Sequence, residues 1–258
     1  MFTRRLLMHA MAAAIGIALT GAAALAQPNP PPFDHYHIYK TGNPVTLGLP
    51  VTLTDQFGKD LVHVLSLDWF GLPVDKNGEG FVDTTIHYSW WSIQQEAEPA
   101  RTILVHNQFG QDQQWTVFDA AFLLTPALKF PHAGAVVPPY NHFKCYFADG
   151  PPANRDVSLL DQFGIRTGLV DHGRMFCNPT EKVLTDGTVY PILDPVVHLA
   201  CYDLLPSFAY DLPITMLDQF TQGPNLLIHD RWLCVPSLKE EPTQAEASTW
   251  GRLKVLYR

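Results

Sequence analysis

One pattern occurs four times along this chain, and it restricts the fold more than any other feature. Gln-Phe recurs at Gln56-Phe57, Gln108-Phe109, Gln162-Phe163 and Gln219-Phe220, preceded by Asp55, Asn107, Asp161 and Asp218. A histidine stands 20 or 21 residues before each Gln, at His35, His87, His142 and His198. Four residues after each histidine comes an aromatic: Tyr39, Trp91, Tyr146 or Tyr202. A proline follows each Gln by 17 or 18 residues, at Pro73, Pro126, Pro179 and Pro236, and a lysine comes three residues later, at Lys76, Lys129, Lys182 and Lys239. Matched positions at such spacings mark one supersecondary unit used four times, too small to bury its own core.

Each repeat reads as three short strands separated by Gly, Pro and Asn clusters. In the third repeat, alternation puts Phe143, Cys145 and Phe147 on one face and His142, Lys144 and Tyr146 on the other. A second strand carries Val157, Leu159, Asp161 and Phe163 on one face, matched by Val51, Leu53, Asp55 and Phe57 and by Ile214, Met216, Asp218 and Phe220. The third strand runs towards Cys177, with relatives at 118–125 and 226–235. Long helical periodicity is absent, and 22 prolines disfavour helices. The expected fold is all-β: four tandem three-stranded repeats, pairing into two β-sandwich or barrel-like units. The linker-like stretch at 131–138 places repeats 1 and 2 at 33–130 and repeats 3 and 4 at 139–241; a single body of all four is the alternative.

The cysteines follow the same frame. Cys145 and Cys201 occupy one slot of repeats 3 and 4, and Cys177 and Cys234 another. The corresponding slots hold Ile38 and Gly71 in repeat 1, and Trp90 and Leu124 in repeat 2. Four cysteines allow three pairings. Joint presence and joint absence within a repeat select Cys145–Cys177 and Cys201–Cys234.

Residues 1–26 read as a signal peptide: Arg4 and Arg5, an apolar run, then Ala24-Leu25-Ala26 before a Pro-rich linker at 27–32. Cleavage removes two arginines and no acid, leaving 15 Lys+Arg against 25 Asp+Glu and moving the formal charge from -8 to -10. That balance argues against nucleic acid as a partner, and no membrane span is expected after cleavage. Export, to the periplasm, the cell surface or the medium, is compatible with disulfides. The partner expected is an extracellular ligand or cell-surface component. Residues 242–258 form a polar spacer and an apolar C-terminal tail, a candidate for docking or sorting.

A residue kept in every repeat is read as structural before it is read as catalytic. The Asp or Asn and the Gln of each Gln-Phe motif are expected to secure a turn by bonding backbone donors, and the four histidines to hold strand ends. Asp75, Asn77, Glu79 and Asp83 fall at positions 1, 3, 5 and 9 of an EF-hand-like calcium loop, with Gly80 at position 6. Ile86 stands where the bidentate acid belongs. Calcium at this loop is therefore the one cofactor considered; no other is expected. Trp90, Trp91 and Trp115 are candidates for stacking on a sugar or for the core. Signatures of common hydrolases and nucleotide-binding loops are absent.

The segments His-x-x-Cys-Tyr, Asp-Gln-Phe-Gly and Cys-x-Pro-x-x-Lys, at 142–182 and 198–239 and in weaker form, without the cysteines, at 35–76 and 87–129, resemble an uncharacterised family of exported bacterial repeat domains. The resemblance implies export and bacterial origin and brings no catalytic residues with it. The functional expectation is a secreted, non-catalytic β-repeat protein acting in surface structure, adhesion or ligand binding. The alternative is an extracellular hydrolase or carbohydrate-active protein with its site between repeats.

Overall fold

The computed structural model describes residues 30, 32–130 and 139–240. Residues 1–26, expected to be a signal peptide, the stretch 131–138 and the C-terminal spacer and tail lie outside the described residues, as does the expected N-terminal linker apart from residues 30 and 32. Among the described residues twelve antiparallel strands make one sheet: β1 (His35–Thr41), β2 (Thr46–Asp55), β3 (Gly58–Lys76), β4 (His87–Gln94), β5 (Arg101–Asn107), β6 (Gly110–Lys129), β7 (His142–Asp161), β8 (Gly164–Val183), β9 (Val189–Tyr190), β10 (His198–Leu205), β11 (Ala209–Leu217) and β12 (Gln222–Glu240). Among the described residues no helix is long and apolar enough to cross a membrane.

Eight strand segments close on themselves. The pairings run β1–β3, β3–β4, β4–β6, β6–β7, β7–β8, β8–β10, β10–β12 and back to β1. Each repeat thus gives the ring two strands, the one that begins at its histidine and the one that ends near its lysine. This differs from the expected two units of neighbouring repeats. A strand pair from one repeat has two open edges, and each edge is taken by the repeat before or after, so the ring closes only when all four are present.

The third strands are also longer than the sequence suggests. They start immediately after the Gln-Phe turn, so the second strand and the first half of the third form a hairpin arm on each repeat. In repeat 3 the first and second strands are one continuous β7. The arms fold over the ring and pair diagonally. The end of β3 pairs with β7, and the end of β8 with β2. The end of β6 pairs with β11, and the end of β12 with β5. Repeats 1 and 3 therefore embrace each other, as do repeats 2 and 4.

Alternation along the ring strands produces two cores. The inner one gathers Tyr36, Ile38, Trp69, Tyr88, Trp90, Phe122, Phe143, Met175 and the four cysteines. Ring contacts between strands that are not neighbours, such as Trp90 with Trp232 at 6.0 Å, mark this face as the interior. Four directly opposed pairs fill one interior level: Ile38 with Gly71, Trp90 with Leu124, Cys145 with Cys177 and Cys201 with Cys234. The last two are disulfides with Cα atoms 3.9 Å apart. Gly71 leaves room that its partner uses, since a Cβ there would stand 3.0 Å from Ile38 Cδ1 and 3.3 Å from Trp90 Nε1. Phe147 is the exception to the inward face, for it reaches the end of the ring and is 51% exposed.

The outer core lies between ring and arms. Trp115, on the arm of repeat 2, covers Gly150 and Gly173, which face each other across β7 and β8. An added Cβ at Gly173 would come within 2.3 Å of the Trp115 ring. Gly173→Ala is expected to cost about 3 kcal/mol, the upper part of the range for overpacking, measured as a lower urea midpoint. An unchanged midpoint would mean that Trp115 does not sit on this glycine.

Candidate functional site

The Asp or Asn of each Gln-Phe motif works in two directions. One side-chain oxygen accepts from its own turn. Asp55 Oδ1 takes Phe57 N at 2.8 Å, Asn107 Oδ1 takes Phe109 N at 2.9 Å, Asp161 Oδ1 takes Phe163 N at 2.8 Å and Asp218 Oδ1 takes Phe220 N at 2.7 Å. The other end of the same side chain meets the aromatic that follows the histidine of the diagonal repeat. Tyr146 donates to Asp55 at 2.7 Å, Tyr39 to Asp161 at 2.6 Å and Trp91 Nε1 to Asp218 at 2.9 Å, while Asn107 donates to Tyr202 Oη at 2.9 Å. The motif phenylalanines pack edge-on against those same aromatics, with Phe57–Tyr146 and Phe109–Tyr202 centroids at 5.1 Å. Burial and the neighbouring carboxylates raise the Tyr39 and Tyr146 hydroxyls well above the usual phenol range.

The Gln, His and Lys of the pattern tie each repeat to the next. Gln108 lies 2.5 Å from His35 Nε2, and the Gln56 amide lies 3.2 Å from His198 Nε2. Lys129 sits over Phe163, Lys182 over Phe220 and Lys239 over Phe57, at 5.9, 5.1 and 4.7 Å. His87 and His198 are also fixed by Nδ1 donating to the carbonyls of Thr85 and Val196. His142 instead meets Lys182 Nζ at 2.8 Å beneath Tyr190. Most positions that recur in the sequence are thus spent on joining repeats, while the His142–Lys182 and Lys76–Glu79 contacts stay within one repeat.

The calcium candidates point to separate protein partners. Asp75 accepts from Gly80 N, Asn77 from Ser158 N, and Asp83 from Thr85 and Tyr140, while Glu79 pairs with Lys76. Among the described residues no group of three or more His, Cys, Asp or Glu side chains is placed to hold a metal ion. Trp90, Trp91 and Trp115 are buried in the cores, so none offers a face to a sugar.

Functional chemistry is sought where the repeats differ. The position two residues after each pattern histidine holds His37, Ser89, Lys144 or Ala200. His37 is buried between two acids, with Nδ1 3.1 Å from Asp161 Oδ2 and Nε2 3.1 Å from Asp230 Oδ2. Arg166 also bonds Asp230. Burial alone would raise both carboxyls, but bonds from His37 and from backbone N–H groups hold them below the usual range. This cluster is closed to solvent and ties repeats 1, 3 and 4. Lys144 is the counterpart in repeat 3, with Nζ 2.7 Å from Asp60 and 3.2 Å from Glu98.

An open asymmetric feature lies at one end of the ring. A cavity of about 450 Å³ is lined by Phe118, Phe147, Asp149, Arg174, Arg231 and Trp232, with Met175 from the interior. Phe118 and Phe147 are 42% and 51% exposed. The Arg231 guanidinium stacks 4.9 Å from the Trp232 ring and 6.0 Å from that of Trp69, with no ion pair among the described residues. Arg174 pairs with Asp203 at 2.5 Å. The Trp232 indole nitrogen is buried and has no hydrogen-bond partner among the described residues. Nothing in the repeat pattern pointed here, because Phe118, Phe147 and Arg231 are outside it. The available signal was the clustering of aromatics and arginines near the ends of ring strands.

Buried histidines set the acid response. Burial pushes His198 down to about 4 and, with Lys76 nearby, His35 also to about 4; burial and Lys182 take His142 well below its usual value. The unfolded chain then binds protons that the native state refuses, so stability present above about pH 6.5 is lost as pH falls towards 4. His198 alone contributes up to about 3 kcal/mol to that slope. The urea midpoint should fall clearly between pH 7 and 4.5, and less steeply in His198→Asn. A flat profile in the wild type would contradict the burial of neutral imidazoles.

The family model that matches this chain describes a repeat of unknown function, DUF7450, and covers residues 87–236. The match begins on the histidine of repeat 2 and ends on the proline of repeat 4. No curated protein and no solved structure matches the chain. The chain belongs to the DUF7450 repeat family.

Proposed function

We propose that this DUF7450 protein is an exported bacterial binding protein without catalytic function, and that the cavity at the end of the ring takes its ligand. The observation that carries the reading is the combination at one mouth of two exposed phenylalanines and an arginine held on an aromatic face without a counter-ion among the described residues. Apolar walls with a few placed polar groups are the usual makeup of a ligand cleft, and the volume lies in the usual range. Stacking surfaces accept a ring, and Arg231 favours an anionic group. A ring-bearing acid, such as a uronic-acid unit of an acidic glycan, answers both demands.

The recurring Asp and Asn residues support the non-catalytic side of the reading, since each is committed to the diagonal repeat. Glycoside hydrolysis needs two carboxyl groups flanking the scissile bond, and Asp149 is the one acid lining this cavity among the described residues. The two disulfides are compatible with an extracellular setting.

Calorimetric titration with a uronic-acid oligosaccharide tests the proposal. Binding is expected for the acidic ligand and not for its neutral counterpart. Removing one stacking ring or the free cation costs about 1 kcal/mol each, so the double variant Phe147→Ala, Arg231→Ala should bind roughly 10-fold or more weakly. Binding that both substitutions leave unchanged would move the site elsewhere.

A further inference from the structure

Lys144 sits where an amine is costly. Its side chain is 1% exposed, and its Nζ lies between Asp60 Oδ2 at 2.7 Å and Glu98 Oε1 at 3.2 Å. The ring of Tyr146 is 5.0 Å from the same nitrogen. Lys144 stands on ring strand β7 of repeat 3, beside the bridged Cys145. Asp60 stands on the arm of repeat 1, opposite Leu53 in the hairpin. Glu98 is fixed independently: Gln95 donates to Oε1 at 2.5 Å, Arg101 lies 3.4 Å from Oε2, and the Glu98 N–H donates to Asp119.

We infer that Lys144 and Asp60 are joined by an intramolecular amide bond, formed with the assistance of Glu98. Three observations meet here. The amine and the carboxyl are already in direct contact, each on a strand whose partner strands hold it. A second carboxylate touches the amine and can carry a proton between the two groups. Finally, the juxtaposition is made once: the counterparts of Lys144 are His37, Ser89 and Ala200, and those of Asp60 are Asp112, Arg166 and Gly223. A repeat contact that elsewhere uses other side chains brings amine to acid only here.

The step balances as a condensation. The Lys144 ammonium passes one proton to the Asp60 carboxylate, giving a free amine and a carboxylic acid. The amine attacks Asp60 Cγ, forming the C–N bond. Glu98 takes a proton from the attacking nitrogen and returns it to the departing hydroxyl, which leaves as water. Glu98 ends as it began, and the two charges of the pair are gone. Loss of that charge removes the desolvation cost of the buried ammonium. Fixed intramolecular geometry provides the high effective concentration that condensation in water needs. Asp60 keeps a 35% exposed side chain, so the released water has a way out.

Peptide mapping of the purified, folded protein decides the matter. After reduction and trypsin digestion, mass spectrometry should find a branched peptide containing both Lys144 and Asp60, one water lighter than its two parts. Trypsin should not cut after Lys144. Lys144→Arg should abolish the branched peptide. Glu98→Gln should lower its yield about 100-fold, the loss typical of a missing proton carrier, while both disulfides and a cooperative thermal transition persist. Linear peptides over Asp60 and Lys144, with normal cleavage after Lys144 in folded wild-type protein, would overturn the inference. A branched peptide undiminished in Glu98→Gln would overturn the role given to Glu98.

Discussion

A single side chain, the Asp or Asn before each Gln-Phe, holds the architecture together. With one oxygen it shapes the turn of its own hairpin, and with its other terminal atom it meets an aromatic two repeats away. Both ends must be satisfied at once, because a buried carboxylate left half-paired is costly. The arm is therefore correctly folded only when it is also correctly docked. Docked arms cover the outside of the ring, and the diagonal strand pairings follow from the same placement. His–Gln and Lys–Phe contacts then join each repeat to its successor, from the fourth back to the first.

Part of this was legible in the residues. The four matched segments show the period, and the alternation of Phe143 and Cys145 against His142, Lys144 and Tyr146 assigns faces correctly as far as Cys145. The joint cysteine slots correspond to residues that face each other across one strand pair. The pairing of repeats was not legible. Spacing shows that repeats are equivalent but not which repeat an arm will reach, and Tyr39 carries no mark that its partner is Asp161 rather than Asn107 of the adjacent repeat. That choice arises from ring closure and from the reach of a long hairpin. The tryptophans stayed open between sugar and core for a related reason: without knowing that arms cover the ring, Trp115 has no visible partner, although Gly150 and Gly173 make its seat.

The candidate site was hidden by the same logic that made the repeat visible. Most residues that recur are consumed in joining repeats, so chemistry falls to positions that differ. His37 and Lys144 occupy equivalent places yet sit in different charged clusters, and both belong to the embrace of repeats 1 and 3. The open mouth draws on Phe118, Phe147, Arg231 and Trp232, of which the repeat pattern specifies none. A fourfold scaffold of this kind gives rigidity from its common residues and individuality from its exceptions.

If diagonal latching is what folds the chain, half of it cannot fold alone. Repeats 1 and 2, residues 33–130, contain Tyr39 and Trp91 but neither Asp161 nor Asp218. They also leave both edges of a half-ring unpaired. Produced alone, this segment should show no cooperative thermal transition as a monomer, by circular dichroism with the mass checked by light scattering. A monomeric half with a cooperative transition and dispersed amide resonances would contradict the account, because neighbouring repeats would then suffice.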